Sequence, residues 1–348
     1  MRAGTNMAAS RSPNKKARIP SQRGLTMIEL LVALVLSGFV ALAAISSLVV
    51  ARRGFSTVDA ASQLRDNGRF ASDLIQRVVV QAGYLDVRYA VNVRSGVAAG
   101  TDPPPYVFGF NNAVLTTSTP PVPNDALNSN RTPSTAGCSL ITDTACVNGS
   151  DILVLRYQTP AVSPDSGVGD KTTINCAGIS QNVASISRDD LAVSVFHVKL
   201  SMGEPSLMCS YQASDGAWVT SAQPLIQGVE SFQVLYGVDG VSPGVATPAS
   251  TLPDYVADRY LRADQMVVTG NAAATENNWR RVRSVRIGMV LRGPANSSQD
   301  SGSGLLYYPL GQAMSLAADA GSILAPAADG RLRQTVTFTV YLRNDQGL

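Results

Sequence analysis

Histidine is almost absent from this sequence: His197 is the single one among 348 residues. Histidine is the commonest metal ligand and the commonest general acid or base, so its scarcity argues against most sites of either kind. The motifs G-x-S-x-G and H-E-x-x-H and the glycine-rich phosphate loop do not occur either. We therefore expect a protein that is not an enzyme.

Two arrangements of polar residues would be needed to contradict that expectation: a hydrolase triad or a calcium site. "PDSGVGD" (164–170) places Ser166 beside Asp165, but His197 would have to complete a hydrolase triad from the strand-like stretch "VSVFHVKL". The simpler interpretation of His197 is a side chain within a sheet. Carboxylates that might hold calcium occur in loops, at Asp165, Asp170, Asp239 and Asp300. Their spacing matches no EF-hand, so we predict neither a metal nor a cofactor.

Charged residues are sparse and unevenly placed. They make up 15% of the chain, which carries a net charge of +3. Residues 1–24 contain six of the 28 basic residues and no acid, which leaves 22 bases and 25 acids in the rest. A chain whose bulk is slightly acidic is not expected to bind nucleic acid directly.

The four cysteines are Cys138, Cys146, Cys176 and Cys209. None belongs to a C-x-x-C pair, and with one histidine a zinc site is not expected. In an oxidising compartment an even number of cysteines favours disulfides. Of the three possible connectivities we favour Cys138–Cys146 with Cys176–Cys209, because the first pair flanks a short polar loop. Four buried free thiols are the alternative.

A long apolar run follows the basic amino terminus. Between Leu25 and Ala51, 27 residues contain a single charge, Glu29. As a helix, residues 30–51 alone would span about 33 Å, enough to cross the hydrocarbon core of a bilayer. The six basic residues before the run predict a cytoplasmic amino terminus, although Arg52 and Arg53 after it oppose that orientation.

Three interpretations of this run differ in how they treat Glu29. A secretory signal has an apolar stretch of only about 7–15 residues, which is much shorter than this one. A plain membrane anchor fits the length but leaves the carboxylate unexplained. A charge inside a membrane segment is costly and usually marks a function.

The third interpretation rests on a resemblance. "GLTMIELLVAL" (24–34) closely resembles the type III signal of type IV pilins and type II secretion pseudopilins. The resemblance implies that a prepilin peptidase cleaves after Gly24 and then methylates the new amine of Leu25. Glu29 becomes the fifth residue of the mature chain, which is the family's acidic position.

Elementary electrostatics agrees with a role for Glu29 in assembly. Apolar helices packed side by side cannot easily hold an unpaired charge. A carboxylate on one subunit can neutralise the terminal ammonium of a neighbour, and one axial stagger satisfies both groups. Glu29 is therefore predicted to set the register of packing.

The sequence departs from the major pilins in several respects. It has no proline between Pro20 and Pro103, and Cys209 lies far from the carboxyl terminus, so the usual terminal disulfide loop is missing. The mature chain would also be about twice as long as a typical major pilin. These differences favour a minor pilin or a large pseudopilin over a bulk filament subunit.

The helix is expected to continue beyond the apolar run. In "DNGRFASDLIQRVVVQAGYLD" (66–86), an apolar stripe occurs at i, i+4 spacing and predicts packing against a globular head. Its members are Phe70, Leu74, Val78 and Ala82. Gly83 is placed to end the helix in a left-handed conformation.

The rest of the chain is predicted to be rich in strands. In residues 335–342, apolar residues alternate with threonine and tyrosine, which is typical of a half-buried strand. Residues 152–157 are apolar enough on both faces to be central in a sheet. Further strands are expected near 191–200, 206–213 and 228–237, and loops over 116–136, 238–254 and 296–304. Trp218 and Trp279 are expected in the core or at its rim.

Several of these segments also resemble PilW-type minor pilins. They are "GRFA" and "AGY" (68–71 and 82–84), "GSDILVLRYQ" (149–158), "VRSVRIGMVLRG" (282–293) and "TVTFTVYLRN" (335–344). The expected fold is α+β and pilin-like, with a long amino-terminal helix packed on antiparallel sheet. The expected domains are a leader (1–24), a transmembrane and filament-core helix (25–53), its amphipathic continuation (54–85) and a β-rich periplasmic head (86–348).

The PilW resemblance implies a minor pilin that primes a type IV pilus, sits at its tip and supports twitching motility and adhesion. Implied partners are the prepilin peptidase, other minor pilins, the major pilin, a tip adhesin and the inner-membrane assembly platform. The protein would start in the cytoplasmic membrane and end in the pilus. The alternatives are a large J-type pseudopilin of type II secretion and a membrane-anchored periplasmic enzyme or binding module.

Overall fold

A computed structural model describes residues 24–86, 102–113, 115, 119–123, 147–164, 166–212, 217–219, 224–298, 304–316, 319 and 321–344. The chain divides into two compact units, residues 1–52 and 53–348. The first helix begins in the first unit and ends in the second. The strands described below all belong to the second unit.

Helix α1 runs from Met27 to Gln81, over 55 residues. It ends as the sequence predicts, because Gly83 adopts a φ of 74°, which an L side chain rarely tolerates. The Gly83 N–H donates to the carbonyl of Arg156, and the Asn344 side chain donates to the carbonyl of Val80 at 2.8 Å. The end of the helix is thereby tied to two parts of the head.

The buried face of α1 differs from the predicted stripe. Its buried residues are Ala60, Leu64, Gly68, Ala71, Ile75, Val78 and Val79. Val78 and Ala82 are buried as predicted, but Phe70 is 55% exposed and Leu74 is only half-buried. Each step of four residues rotates about 40° around a helix, so a strict i, i+4 series leaves the contact face within three steps. Alternating steps of three and four stay on it.

The first sheet of the head is antiparallel and six-stranded among the described residues. Its strands are β1 (Val107–Phe110), β2 (Ile152–Tyr157), β3 (Ala192–Ser201), β4 (Glu204–Gln212), β5 (Trp218–Val219) and β6 (Pro224–Gln227). The order is β1-β2-β3-β4-β5, and β6 also pairs with β4. Every residue of β2 is buried, which confirms its predicted central position.

The second sheet is also antiparallel and contains the carboxyl-terminal strands. Its strands are β7 (Val229–Val238), β8 (Arg259–Leu261), β9 (Val282–Arg292) and β10 (Arg333–Tyr341), in the order β10-β9-β7-β8. In β10, Val336 and Phe338 pack against the core while Thr335 and Thr337 are exposed, which confirms the predicted alternation. Two short helices, α2 (Ala263–Met266) and α3 (Ala272–Trp279), connect β8 to β9.

The expected α+β fold is therefore confirmed: a long amino-terminal helix precedes antiparallel sheets, and the second half of that helix packs on the head. A Cβ built at Gly68 would lie 2.9 Å from the Val336 side chain, so α1 approaches β10 closely there. The sequence did not predict β1, β5, β6 and β8, which have only two to four residues each. Such short strands show too few alternations to be recognised.

A cluster of ion pairs joins the two sheets at one end. Arg292, at the end of β9, binds Glu204 of β4 at 2.8 Å and Glu230 of β7 at 3.2 Å. Arg333 of β10 also binds Glu230, at 2.6 Å, and Arg331 binds Glu204 at 3.0 Å. Glu230 is fully buried, so loss of either arginine would leave a carboxylate without its full compensation.

A second contact between the sheets depends on a glycine. Tyr236 of β7 points its hydroxyl at Gly109 of β1, and a Cβ there would collide with that hydroxyl and with the Ile152 carbonyl. Tyr236 is buried and packs edge-on against Trp279, with ring centroids 4.7 Å apart. Trp279 is thus a core residue, in agreement with the sequence analysis.

We expect Gly109→Ala to lower the melting temperature of the full-length protein in detergent. Its methyl group cannot be accommodated without moving Tyr236, and overpacking of this kind costs about 1–3 kcal/mol. Thermal unfolding followed by circular dichroism measures the effect. Gly54→Ala is the matched control: nothing lies within 4 Å of its Cβ position, and alanine favours helix there. Equal melting temperatures for the two variants would contradict the proposed contact.

Candidate functional site at the amino-terminal helix

The predicted cleavage site lies immediately before α1. Gly24, Leu25 and Thr26 precede the first helical residue, Met27, and all three are exposed. A Cβ at Gly24 would have no neighbour within 4 Å. The fold therefore places no steric demand on this glycine, and any requirement for it must come from a partner enzyme.

Glu29 lies in the first turn of α1 and is paired with Thr26. The Thr26 N–H and hydroxyl each donate to Oε2 of Glu29 at 2.9 Å, and the Glu29 N–H donates to the Thr26 hydroxyl at 3.4 Å. This reciprocal pattern is a capping box, which satisfies two of the backbone donors that begin a helix. No bond to Oε1 is formed by any residue that the structure describes.

Thr26 is a site residue that the sequence analysis missed. The signal for it was present, because Thr26-x-x-Glu29 ahead of an apolar run is the sequence signature of a capping box. The charge of Glu29 favours a partner on a neighbouring molecule, but the hydroxyl three residues earlier provides one within the same chain. Glu29 therefore has a structural role within its own chain, beside the intermolecular role predicted for it.

Beyond Glu29 the helix presents apolar side chains on all sides. Every residue from Gly24 to Arg53 is exposed, and the segment is long and apolar enough to cross a membrane. Leu34, Phe39 and Val40, which lie on different sides of the helix, are 59%, 66% and 69% exposed. Such a helix is unstable in water by itself and requires lipid or other helices around it.

The structure describes two of the four cysteines. Cys176 and Cys209 form a disulfide with a Cα–Cα distance of 5.7 Å, which is the pairing that we favoured. It ties the chain between β2 and β3 to β4. Cys138 and Cys146 lie outside the described residues, so their pairing stays a prediction.

His197 and Ser166, the residues considered for a hydrolase, have different hydrogen-bond partners in the structure. His197 lies in β3, where its Nε2 is 3.1 Å from the Ser210 hydroxyl, whereas exposed Ser166 accepts a bond from the backbone N–H of Val168. Asp165 lies outside the described residues. His197 is therefore a buried side chain of a sheet, as expected.

The aspartates considered for calcium have other contacts where they are described. Asp239 is buried and lies 3.5 Å from Arg283, and Asp170 accepts bonds from the backbone and side chain of Thr172. Asp300, like Asp165, lies outside the described residues. In the part of the chain that the structure describes, no group of three or more metal-binding side chains occurs.

Comparisons with known proteins agree with this geometry. The prokaryotic N-terminal methylation motif matches residues 19–45, which include Gly24, Leu25 and Glu29. The family of type IV pilus-assembly protein W, or PilW, matches residues 195–344, from β3 to the end of the last strand. The second match spans 150 of the 348 residues and agrees with the resemblance of this chain to PilW-type minor pilins. The two matches together indicate a structural, pilus-related protein.

Two further comparisons give no information on the function of the chain. The type IV-like pilin TTHA1219 from Thermus thermophilus shares 13% identity, with a TM-score of 0.36 over 81% of this chain and 97% of that one. No curated protein matches the chain.

The methylation motif implies processing by prepilin peptidase. The motif, the apolar helix and the PilW match together indicate a single-pass membrane-anchored pilin that later enters a pilus.

Burial of His197 predicts a pH dependence of stability. Loss of solvation lowers the pKa of His197 to about 3, so the folded protein keeps this imidazole neutral where the unfolded chain, with a pKa near 6.5, is protonated. Because the unfolded state then binds more protons, stability falls by up to about 1.4 kcal/mol per unit as the pH drops from about 6.5 towards 3. Chemical unfolding at several pH values measures this slope.

His197→Gln is the matched variant, because its amide retains a group that can bond to Ser210 but cannot titrate. We expect the difference in unfolding free energy between the natural protein and the variant to change with pH in that interval. Buried carboxylates such as Asp151, whose pKa is raised mainly by burial, contribute equally to both proteins and cancel in the comparison. Parallel pH profiles would show that His197 is not the titrating group.

Proposed function

We propose that this protein is a PilW-type minor pilin that primes assembly of a type IV pilus and is incorporated near its tip. There it supports twitching motility, attachment and, indirectly, DNA uptake. The observation that carries the proposal is the exposed apolar first half of α1, which overlaps the methylation motif and precedes a head that matches PilW. Such a helix can move from lipid to a bundle of similar helices with little change in its apolar surroundings.

The geometry of Glu29 supports a docking role within this function. Its Oε2 is held by Thr26, which fixes the carboxylate at the start of the helix. Cleavage after Gly24 would create an ammonium group on Leu25, and this group can donate a hydrogen bond to the Oε1 of Glu29 on a neighbouring subunit. Each charge is then compensated in an environment where an isolated charge is costly.

The partners follow from this sequence of events. A prepilin peptidase cleaves after Gly24 and methylates Leu25, and the inner-membrane platform inserts the helix among other minor pilins and the major pilin. The β-rich head selects its neighbours and supports a tip adhesin. This mechanism uses no cofactor, and Glu29 acts as the element that sets register.

A large J-type pseudopilin of type II secretion has the same architecture and is the second candidate. The PilW match over residues 195–344 favours the pilus, because that family is described by its role in pilus assembly. A membrane-anchored periplasmic module would have no need of Glu29 or of cleavage. The two variants below separate that module from a pilin.

Gly24→Val is expected to block processing, because the peptidase requires a small residue at the cleaved bond. Amino-terminal sequencing of the purified protein should find the first 24 residues retained, whereas the natural protein should begin with N-methyl-leucine at Leu25. Gly38→Ala is a control with equal space around its Cβ position, and it should be processed normally. A mature Gly24→Val protein of normal size would contradict the assignment.

Glu29→Gln separates the two roles of this side chain. Glutamine can still accept the bond from the Thr26 N–H, so the capping box is retained, but the charge is lost. We expect cleavage to proceed, while the amount of the protein in sheared pili falls strongly, as it should for Glu29→Val. Immunoblots of pilus fractions measure this. Normal incorporation of Glu29→Gln would show that capping, and not charge pairing, is the role of Glu29.

A further inference from the structure

Strand β10 forms the longest open edge of either sheet. It has nine residues and pairs only with β9, whereas the other strands at sheet edges, β1, β5, β6 and β8, have two to four. An open edge presents a row of backbone donors and acceptors that can pair with a further strand. Within the part of the chain that the structure describes, no strand occupies this edge of β10.

The register of β10 on β9 shows which of its backbone groups are free. The Leu342 N–H donates to the Arg283 carbonyl at 2.9 Å. At the other end, the Gly293 N–H donates to the Leu332 carbonyl at 2.8 Å. Because the pairing between these points is regular, the even-numbered residues of β10 direct their backbone groups to β9. The odd-numbered residues, Thr335, Thr337, Thr339 and Tyr341, direct theirs to the open edge, where no described residue bonds to them.

This open edge carries none of the features that usually prevent pairing with another strand. Proline, a bulge or a charged side chain commonly has that effect. Residues 334–341, "QTVTFTVY", contain no proline and no charge, and β10 pairs with β9 without a bulge. Their β-branched and aromatic side chains favour extended structure. The edge is therefore suited to accept a partner strand.

The strand is also held in place before a partner binds. Arg333, at its start, binds Glu230 at 2.6 Å and Asp329 at 2.7 Å. Val340, near its end, is buried. A preformed edge loses little conformational entropy on binding, which favours association.

The two faces of β10 define the chemistry of a strand that fits beside it. Val336 and Phe338 pack against the core, whereas Thr335 and Thr337 are exposed on the opposite face. An added strand continues both faces, so its side chains should alternate between apolar and polar. It must also provide backbone donors, which supply the affinity in this mode of recognition. The fitting partner is an extended, uncharged segment without proline.

The direction of α1 argues against an antiparallel pair of two copies of this chain. α1 and β10 run in the same direction, since Gly68 lies against Val336 and Val80 is bonded to Asn344. Antiparallel pairing of two β10 strands would point the two α1 helices in opposite directions. Two subunits anchored in one membrane cannot adopt that arrangement. A different pilin packed along α1, in contrast, brings its head close to this edge.

We propose that the open edge of β10 binds an extended segment of a different, neighbouring pilin by β-strand addition. The inference rests on the proposed function, which places such a pilin beside α1. Thr335, Thr337, Thr339 and Tyr341 supply the backbone hydrogen bonds. The apolar side chains of the segment extend the row formed by Val336 and its neighbours.

Amide hydrogen exchange at single-residue resolution tests the proposal. The full-length protein is purified in detergent, alone and after co-expression with the other minor pilins of its host. In the protein alone, odd-numbered amides of residues 335–341 should exchange rapidly and even-numbered ones slowly. In the complex, the odd-numbered amides should slow by at least about tenfold, while the even-numbered ones should not change.

Proline at an odd-numbered position gives a second test. Thr339→Pro removes one outward N–H and leaves the bonds to β9 in place, because an edge strand tolerates proline where its N–H faces solvent. We expect this variant to be lost from the complex. Thr339→Val is the matched control, since it keeps the N–H and should bind normally. Melting temperatures of both variants, expected to equal that of the natural protein, separate lost binding from misfolding, and the exchange experiment requires no variant.

Four results would overturn the proposal. They are the absence of a complex, equal binding of Thr339→Pro and Thr339→Val, odd-numbered amides that exchange as rapidly in the complex as alone, and slow exchange of these amides in the protein alone. The last result would indicate a second copy as the occupant.

The proposed function fails in a different way. Normal incorporation of Glu29→Val into pili would remove that function. Loss of incorporation for Glu29→Val, together with a complex in which the odd-numbered amides are unchanged, would retain the function and reject only the role of the β10 edge.

Discussion

The rest of the structure depends on one constraint, which is that the first half of α1 cannot remain in water. Every residue between Gly24 and Arg53 is exposed, and Glu29 is the only charge between Leu25 and Ala51. Burial of apolar area provides the driving force both for insertion into lipid and for packing among other helices. The protein can therefore be anchored first and assembled later, with the same surface serving both states.

Within that constraint, the polar groups at the start of the helix have a double role. Thr26 donates two hydrogen bonds to Oε2 of Glu29, and the Glu29 N–H donates to the Thr26 hydroxyl, so one oxygen of this carboxylate is bonded within its own chain. A capped carboxylate also has a fixed position, which is what a register contact between subunits requires. The capping box thus connects the stability of the helix terminus with the docking role proposed for Glu29.

The second half of α1 is held by a head whose two sheets are joined in three ways. Tyr236 lies against Gly109, Asp151 accepts backbone bonds from Asn112 and Val234, and Arg292 joins Glu204 to Glu230. The hydrogen bonds of Asp151 and the ion pairs of Arg292 restrict the relative position of the sheets, because each requires a particular distance and direction. The Cys176–Cys209 disulfide adds a covalent tie, which suits a protein exposed outside the cytoplasm.

The sequence by itself determined the apolar helix, the acid at its start and the longer strands, because each depends on local composition or on a simple period. The Cys176–Cys209 pair was only the favoured one of three connectivities, and the tertiary structure selected it by bringing residues 33 positions apart together. Only the tertiary structure decided which face of α1 is buried, since a helical stripe is defined by its partner and Phe70 turned outward. It also decided the short strands and the pairing of Arg292 with Glu204 and Glu230. Those residues are far apart in the chain, and no local sequence pattern indicates that they are in contact.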